Sequence, residues 1–585
     1  MRLINGRNEI DFLLSFVLLF LFSFYLDFTL PVYFINMGGD GLLLPQNIIC
    51  WNVILLATGI VVAGVIIKKE ISFNSHLLLC SLGILLLIVP WFWTTYYDWK
   101  LNSASHMLGL MFSLFLLFSL FQVQFNNSVK TKLLAIILFS IFIQSILGCI
   151  QMWLPDLAKD MMEKEFGAPY GIFQQRNLYG SYLAIAVGIS LYFMSLPKSR
   201  LLKWAGYAVL FPVSTQLLFC QSRIGMLSAS CIAILYLAVR FGKKHFSSIN
   251  PLKEFLLLAI VVIWAYAIYR YSNPFVSLDF VHASSNNSRL NVILACISLI
   301  IKNPVFGNGY GSFEYLIVDS LKNSDELFTH PHNEFLYVLA EGGVVGLIGL
   351  AILSFVWLNT PYKLYCTNNK SIIWSSDLPP IGNKLKMPNE CFLSLLGLPI
   401  VLHLFTEYPL YASTPHLLVL ILLFRIGMPE SYINKQHIIK KKNLGIYSLS
   451  LLLLLISTGM FLLSNAFIAQ KQLSIAERDM ISGRLTLMPE KKWQSVLQFQ
   501  RLDYDQHMAS LLSYNKDRNE STLLSYQNWA DRFLSVHHDA KVYAAAIAIA
   551  KHSGNSEKAS SLRMHACSAF PNNVLFQCKN NLVMN

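Results

Sequence analysis

An all-α fold that crosses a membrane many times is what this sequence predicts, and three observations carry the prediction. Of its 585 residues 55% are hydrophobic and 13% charged, roughly half the charged share of a soluble protein, and the mean hydropathy is +0.50. Apolar runs near the ~20 residues that a spanning helix needs recur along most of the chain. Lys and Arg gather in every second loop between those runs, as orientation in a membrane requires. This composition excludes a soluble enzyme, a disordered regulator and a coiled-coil or collagen-like fibre.

The apolar runs lie near 10–30, 48–67, 76–95, 107–124, 133–153, 177–195, 203–219, 225–241, 256–271, 343–360, 391–409, 413–427 and 445–468, about thirteen helices by the span criterion. The first is long and lacks a small-residue cleavage site, so it reads as a membrane helix. Basic groups from Arg2 and Arg7, through Lys68, Lys69, Lys130, Lys132 and Lys198, to Lys440, Lys441 and Lys442, alternate with loops poor in charge. That pattern places the N-terminus in the cytoplasm and, with an odd number of spans, the C-terminus outside. Three regions then face outward: the loop 154–176, the long loop 272–342 and the tail after about residue 470.

The net charge of +13 is dealt out in small groups rather than gathered in a patch, so no nucleic-acid partner is expected. The ten cysteines show no zinc-type pairing. In the tail, Cys567 and Cys578 read equally well as a disulfide or as two thiols. The spacing of Tyr543, Ala546, Ala550, Ala559, Ala566 and Phe570 suggests helical hairpins of tetratricopeptide type.

Polar groups set against a membrane on one side point to function. The segment His330-Pro331-His332-Asn333-Glu334 leads into Tyr337 and Glu341-Gly342-Gly343. Pro favours the first helical position, which predicts His330 as N-cap, His332 and Asn333 in the first turn, and a polar stripe of Asn333, Tyr337 and Glu341. A helix start attracts an anion and keeps a histidine neutral, able to take a proton. A capped loop helix with exposed histidines fits the same residues, and a metal would need a third ligand that the segment does not offer. Arg223 (in Ser222-Arg223) and Arg289 (in Ser288-Arg289) suit phosphate, or the membrane interface. Gln174, Gln175, Arg176 and Asn177 enter a helix, either as a sugar or headgroup contact or as a plain helix start. Glu407, followed by Tyr408 and Tyr411, closes another helix, where a carboxylate is costly without a partner. The run Gly307-x-Gly309-x-Gly311 reads as a turn-rich loop, and Gly342-x-x-x-Gly346 as helix packing.

The His-Pro-His-Asn-Glu-Phe-Leu…Glu-Gly-Gly segment resembles the His-x-His-Asn-x-x-Leu…Glu-x-Gly signature of bacterial O-antigen ligases and protein O-oligosaccharyltransferases. Ser222-Arg223 and Ser288-Arg289 resemble that superfamily's two diphosphate-binding arginines. The likeness covers about 165–430, and implies a division into membrane helices 1–164, a catalytic core 165–430, a last helix 431–469 and a periplasmic helical domain 470–585. Polymerases, ligases and oligosaccharyltransferases share this core. The Gly-x-Phe-Gln-Gln-Arg-Asn segment, the Glu407–His416 segment and the long tail resemble the third branch.

The resemblance implies inverting, metal-independent transfer of a glycan from undecaprenyl diphosphate to Ser or Thr of a periplasmic or pilin-like protein, at the inner membrane and without a cofactor. In it Arg223 and Arg289 hold the diphosphate, His332 rather than His330 takes the proton, and Tyr408 or Tyr411 lines the acceptor side. Glu334, Glu341 and Glu407 remain rival bases. An O-antigen ligase acting on lipid A-core is the alternative. A transporter of the same lipid-linked glycan fits less well, since it would carry charge at the midplane in repeated halves.

Overall fold

The computed structural model describes the chain apart from residues 1, 29–40, 162–167, 197–198, 242–250, 273–282, 322–326, 374–386, 431–436, 441–443, 485–487, 489–491 and 579–585. Gly167, parts of the long loop, and Lys198, Lys441 and Lys442 therefore lie outside the described residues. The protein is an all-α polytopic membrane protein. Among the described residues, ten helices are long and apolar enough to cross a membrane, and two shorter apolar ones cover Glu390–His403 and Thr414–Gly427. The remaining apolar run, near 203–219, forms the helix Arg200–Phe219, with Pro212 inside it. Every predicted run thus contains helix, but the run 391–409 is broken by turns at 394–397 and 404–406, and three runs fall short of a straight apolar span. On the first helix Phe12, Phe16, Phe20 and Phe24, spaced i, i+4, are 59–75% exposed. Such a stripe is solvated without cost only by lipid tails.

Two compact units divide the chain. The first comprises Met1–Ser81, Phe112–Val281 and Ile352–Phe467. At its centre the helix Arg176–Met194 has 16 of its 19 residues buried and packs against Arg200–Phe219 and Arg223–Phe241. Glycine makes the tightest of these crossings possible: a Cβ at Gly225 would stand 2.7 Å from the Gly180 Cα. A small antiparallel pair, Glu70–Phe73 with His437–Lys440, runs in register from Glu70↔Lys440 to Phe73↔His437. Nearby, the fully buried Arg425 gives its guanidinium to Leu120 O (3.0 Å), Val123 O (2.9 Å) and Glu430 (2.9 Å), and its charge faces the Phe125 ring at 4.5 Å. The Arg425 charge is thus used to hold the loop after Leu120.

The second unit comprises Leu82–Met111, His282–Ala351 and Ile468–Asn585. Its tail folds into four consecutive helices, Phe499–Asp517, Glu520–Phe533, Ala540–His552 and Ser556–Ala569, each packed on the next. Asn519, Asp539 and Asn555 cap the last three, accepting from backbone N–H groups at 2.8–3.1 Å. All six residues whose spacing suggested hairpins are buried in one apolar core, which also takes in Val292, Phe313 and Ala340. Cys567 and Cys578 form a disulfide with Cα atoms 5.5 Å apart.

At the base of the tail Arg501 forms an ion pair with Glu477 and donates to Ser474 at 2.8 Å. Asp505 is buried beside this pair, and desolvation with the Glu477 charge holds its carboxyl well above the usual range. A carboxyl raised in the fold binds its proton more tightly folded than unfolded. Its contribution to stability is therefore full below the unfolded value near pH ~4 and is lost as pH rises toward the folded one. Thermal unfolding of Asp505→Asn should accordingly depend less on pH between 5 and 8 than the parent does; an identical slope would rule out this carboxyl as the source. Gly225→Ala should cost about 1–3 kcal/mol by overpacking, read as a lower unfolding temperature in detergent, because backbone rather than a mobile side chain blocks the new methyl.

Candidate active site

In the second unit the His-Pro-His-Asn turn differs from its predicted form. The helix begins at Glu334, and Asn333 is its cap, with Oδ1 accepting from Leu336 N at 3.0 Å. His330 is not the cap, and His332 is not in the first turn. Pro331 and the bond from His332 N to His330 Nδ1 (3.1 Å) hold His332 in the left-handed region at φ 55°. That conformation is sparsely populated by non-glycine residues. Because Nδ1 of His330 accepts, its proton is assigned to Nε2, which faces Glu334 Oε2 at 3.2 Å. Both nitrogens of His330 are thereby engaged in shaping the turn.

The predicted stripe of Asn333, Tyr337 and Glu341 is also put to structural use. Tyr337 packs on His330 (4.6 Å between ring centroids) and stacks parallel to His106 (6.3 Å). Glu341 is buried, and its Oε1 accepts from Gly311 N (3.1 Å) and Phe313 N (2.9 Å). The glycine-rich loop needs that anchor and its own glycines: a Cβ at Gly307 would fall 2.2 Å from Glu341 O. The same docking interrupts the long helix at Gly343, φ 64° and ψ −162°. His106 was missed by sequence reasoning; an imidazole amid an apolar run was the available signal.

Arg289 lies on the helix Ala283–Lys302. Two contacts set that helix against the Glu334 helix: Cys296 Sγ to Leu336 O (3.7 Å), and Asn308 Nδ2 bridging Leu299 O (3.2 Å) and Ala340 O (2.9 Å). The two helices therefore run parallel, and the register carried back puts Arg289 within about one turn, ~5 Å of rise, of the level of His332.

In the first unit the remaining candidates converge on Glu407. Its Oε2 accepts from Gln175 Nε2 at 2.8 Å and faces His403 Nε2 at 3.2 Å, and Oε1 accepts from Asn177 Nδ2 at 2.6 Å. Asn177 Oδ1 in turn accepts from Ser222 Oγ at 2.9 Å, beside Arg223. Ser181 bonds both His403 (2.8 Å) and His416 (3.2 Å). The preceding segment, with Tyr170, Ile172 and Phe173 buried, is pinned by three intramembrane glutamines: Gln46 donates to Ile172 O at 2.6 Å, Gln144 accepts from Ile172 N at 3.2 Å, and Gln151 accepts from Tyr170 N at 2.9 Å. Gln174 itself takes φ 57° in the turn before the helix. Tyr408 and Tyr411 stand 6.2 Å apart, with Tyr411 exposed. Sequence reasoning passed over Gln46, just before an apolar run, and Gln144, Gln151, Ser181 and His403, each a polar group inside one. Among the described residues no three His, Cys, Asp or Glu converge as a metal site requires.

Comparison with known families fits this construction. A family described as O-antigen ligase matches residues 208–351, spanning Arg223, Arg289 and the His-Pro-His-Asn turn. A second, described as the C-terminal part of a virulence factor membrane-bound polymerase, matches 391–580, from before Glu407 into the tail. The chain belongs to the O-antigen ligase superfamily. No curated protein matches it. As a member of that superfamily it is a multi-pass membrane enzyme that transfers glycans from a lipid-linked donor to an acceptor.

The two buried glutamates respond oppositely to amidation. The Gly311 and Phe313 amides share one oxygen of Glu341, so Glu341→Gln should unfold close to the parent temperature, whereas Glu341→Ala orphans two amides at about 1–3 kcal/mol each. Around Glu407 both oxygens face donors, so Glu407→Gln must set an amide against one of them. Turnover should fall about 10–100-fold, measured as glycan transfer by the purified enzyme.

Proposed function

We propose that this protein transfers a preassembled glycan en bloc from undecaprenyl diphosphate to Ser or Thr hydroxyls of periplasmic or pilin-like proteins. The enzyme would sit in the bacterial inner membrane, N-terminus in the cytoplasm and reactive groups with the tail in the periplasm. The observation that carries the reading is the turn at His332, which His330 and Asn333 shape ahead of the Glu334 helix, with Arg289 near its level. The Cys567–Cys578 disulfide supports an oxidising compartment for the tail.

In this reading the acceptor hydroxyl attacks the anomeric carbon of the first sugar, and the bond from that carbon to the phosphate oxygen breaks. The electron pair leaves with undecaprenyl diphosphate, which Arg223 and Arg289 neutralise by charge-assisted contacts. The hydroxyl proton passes to His332. A single in-line displacement inverts the configuration, and a diphosphate held by guanidinium groups leaves without an acid. Both oxygens of Glu407 are engaged, by Gln175, Asn177 and His403, which favours His332 over Glu407 as the base.

A protein acceptor is favoured by the long helical tail and by the Gln-Gln-Arg-Asn and Glu407–His416 segments. The polymerase named by the match over 391–580 favours a second reading, in which the acceptor is the non-reducing end of another glycan. The deciding experiment co-expresses a pilin-like acceptor with a lipid-linked glycan in cells lacking an O-antigen ligase, and reads acceptor mass and lipopolysaccharide together. A glycan-sized mass increase, reduced about 10²–10⁴-fold by His332→Ala, is expected. An unmodified acceptor beside capped lipopolysaccharide would make the enzyme a ligase, and lengthened lipid-linked glycan would make it a polymerase.

A further inference from the structure

The Glu407 network ends in a pair of arginines, only one of which the proposed mechanism uses. Asn177 and Ser222, joined by the 2.9 Å bond from Ser222 Oγ to Asn177 Oδ1, are the sequence neighbours of Arg176 and Arg223. Each arginine is the first residue of its helix, and both are exposed. The two helices touch backbone to backbone within their first turns, at Gly180 and Gly225. Arg176 also lies within electrostatic reach of Cys220, three residues before Arg223. Before each helix the chain makes the same left-handed turn, at Gln174 (φ 57°) and Gln221 (φ 52°). Two arginines thus stand at neighbouring helix starts that the buried Glu407 and Ser222 tie together through Asn177.

We infer that Arg176 is a second phosphate-contacting residue, forming with Arg223 one cationic seat for the two phosphoryl groups of a diphosphate. The inference rests on the proposed lipid-diphosphate donor for its ligand, but the arginine pair itself rests on the geometry of the first unit. Adjacent guanidinium forks match a diphosphate, which offers two anionic groups a few ångströms apart, better than a single phosphate. Glu407 then acts as a positioning residue: it holds Gln175 and Asn177 on either side of Arg176, and through Asn177 it orients the Ser222-Arg223 turn.

The test uses the full chain in nanodiscs, with inorganic pyrophosphate and inorganic phosphate as probes and no acceptor. The parent should bind pyrophosphate more tightly than phosphate. Arg176→Gln should weaken pyrophosphate binding about 10–100-fold, the worth of a lost charged contact, and narrow that preference, and Arg176→Lys should restore part of it. In transfer assays the same variant should raise the KM for donor by a similar factor with kcat changed only a few-fold. Unchanged pyrophosphate binding in Arg176→Gln, or a parent that binds no pyrophosphate, would overturn the inference. A headgroup contact is separated by lipid composition: a defect seen in phosphatidylglycerol discs and absent in phosphatidylcholine discs would make Arg176 a membrane anchor and overturn it too. If the parent binds pyrophosphate through Arg176 yet transfers no glycan from a lipid diphosphate, the donor assignment fails and the arginine seat stands.

Discussion

A carboxylate buried among apolar helices needs donors from the same protein, and each of the two units holds one such glutamate. Water is absent from the hydrocarbon layer, so an orphaned charge there would cost several kcal/mol. Glu407 gathers Gln175, Asn177 and His403, and Glu341 gathers the amides of Gly311 and Phe313. In both units an irregular stretch of chain, which would otherwise be unstable beside lipid, is tied down by a glutamate from a helix. Each glutamate is thereby a fastener, and what it fastens is the segment bearing the arginines or facing the histidine turn.

The helices that carry this chemistry are the interrupted ones. Leu398–His403 and Pro409–Ala412 are short, the Glu334 helix breaks at Gly343, and left-handed residues stand before three helix starts, at Gln174, Gln221 and His332. Broken helices and strained turns cost stability, and a membrane protein keeps them only where other groups compensate for the lost backbone bonds. Here Gln46, Gln144 and Gln151 do so for the segment before Gln174, and His330 does so for His332. In the second unit the tail shares one core with the loop helices, and His538 and Trp99 bond across it, to Tyr315 O at 3.2 Å and Ser535 O at 2.9 Å. Tail and glycine-rich loop therefore form one packed body.

Helix content and a membrane-crossing chain were legible in the amino acids, because hydrophobic length is a local property: among the described residues ten of the apolar runs form helices long enough to span, and the other three form shorter, broken or Pro-interrupted helices. The candidate residues were legible too, since Arg223 and Glu407 in the first unit and Arg289 and His332 in the second are rare polar groups in an apolar chain. How those groups are used depends on the folded chain. The cap at Asn333 instead of His330 follows from the bond that His330 makes to the His332 amide, which spacing alone does not reveal. That Asn177 joins Glu407 to Ser222 depends on residues 230 and 45 positions away from it, brought together by a helix crossing that two glycines permit. Contacts at such separations are set by packing, and packing is a property of the folded chain rather than of any window within it.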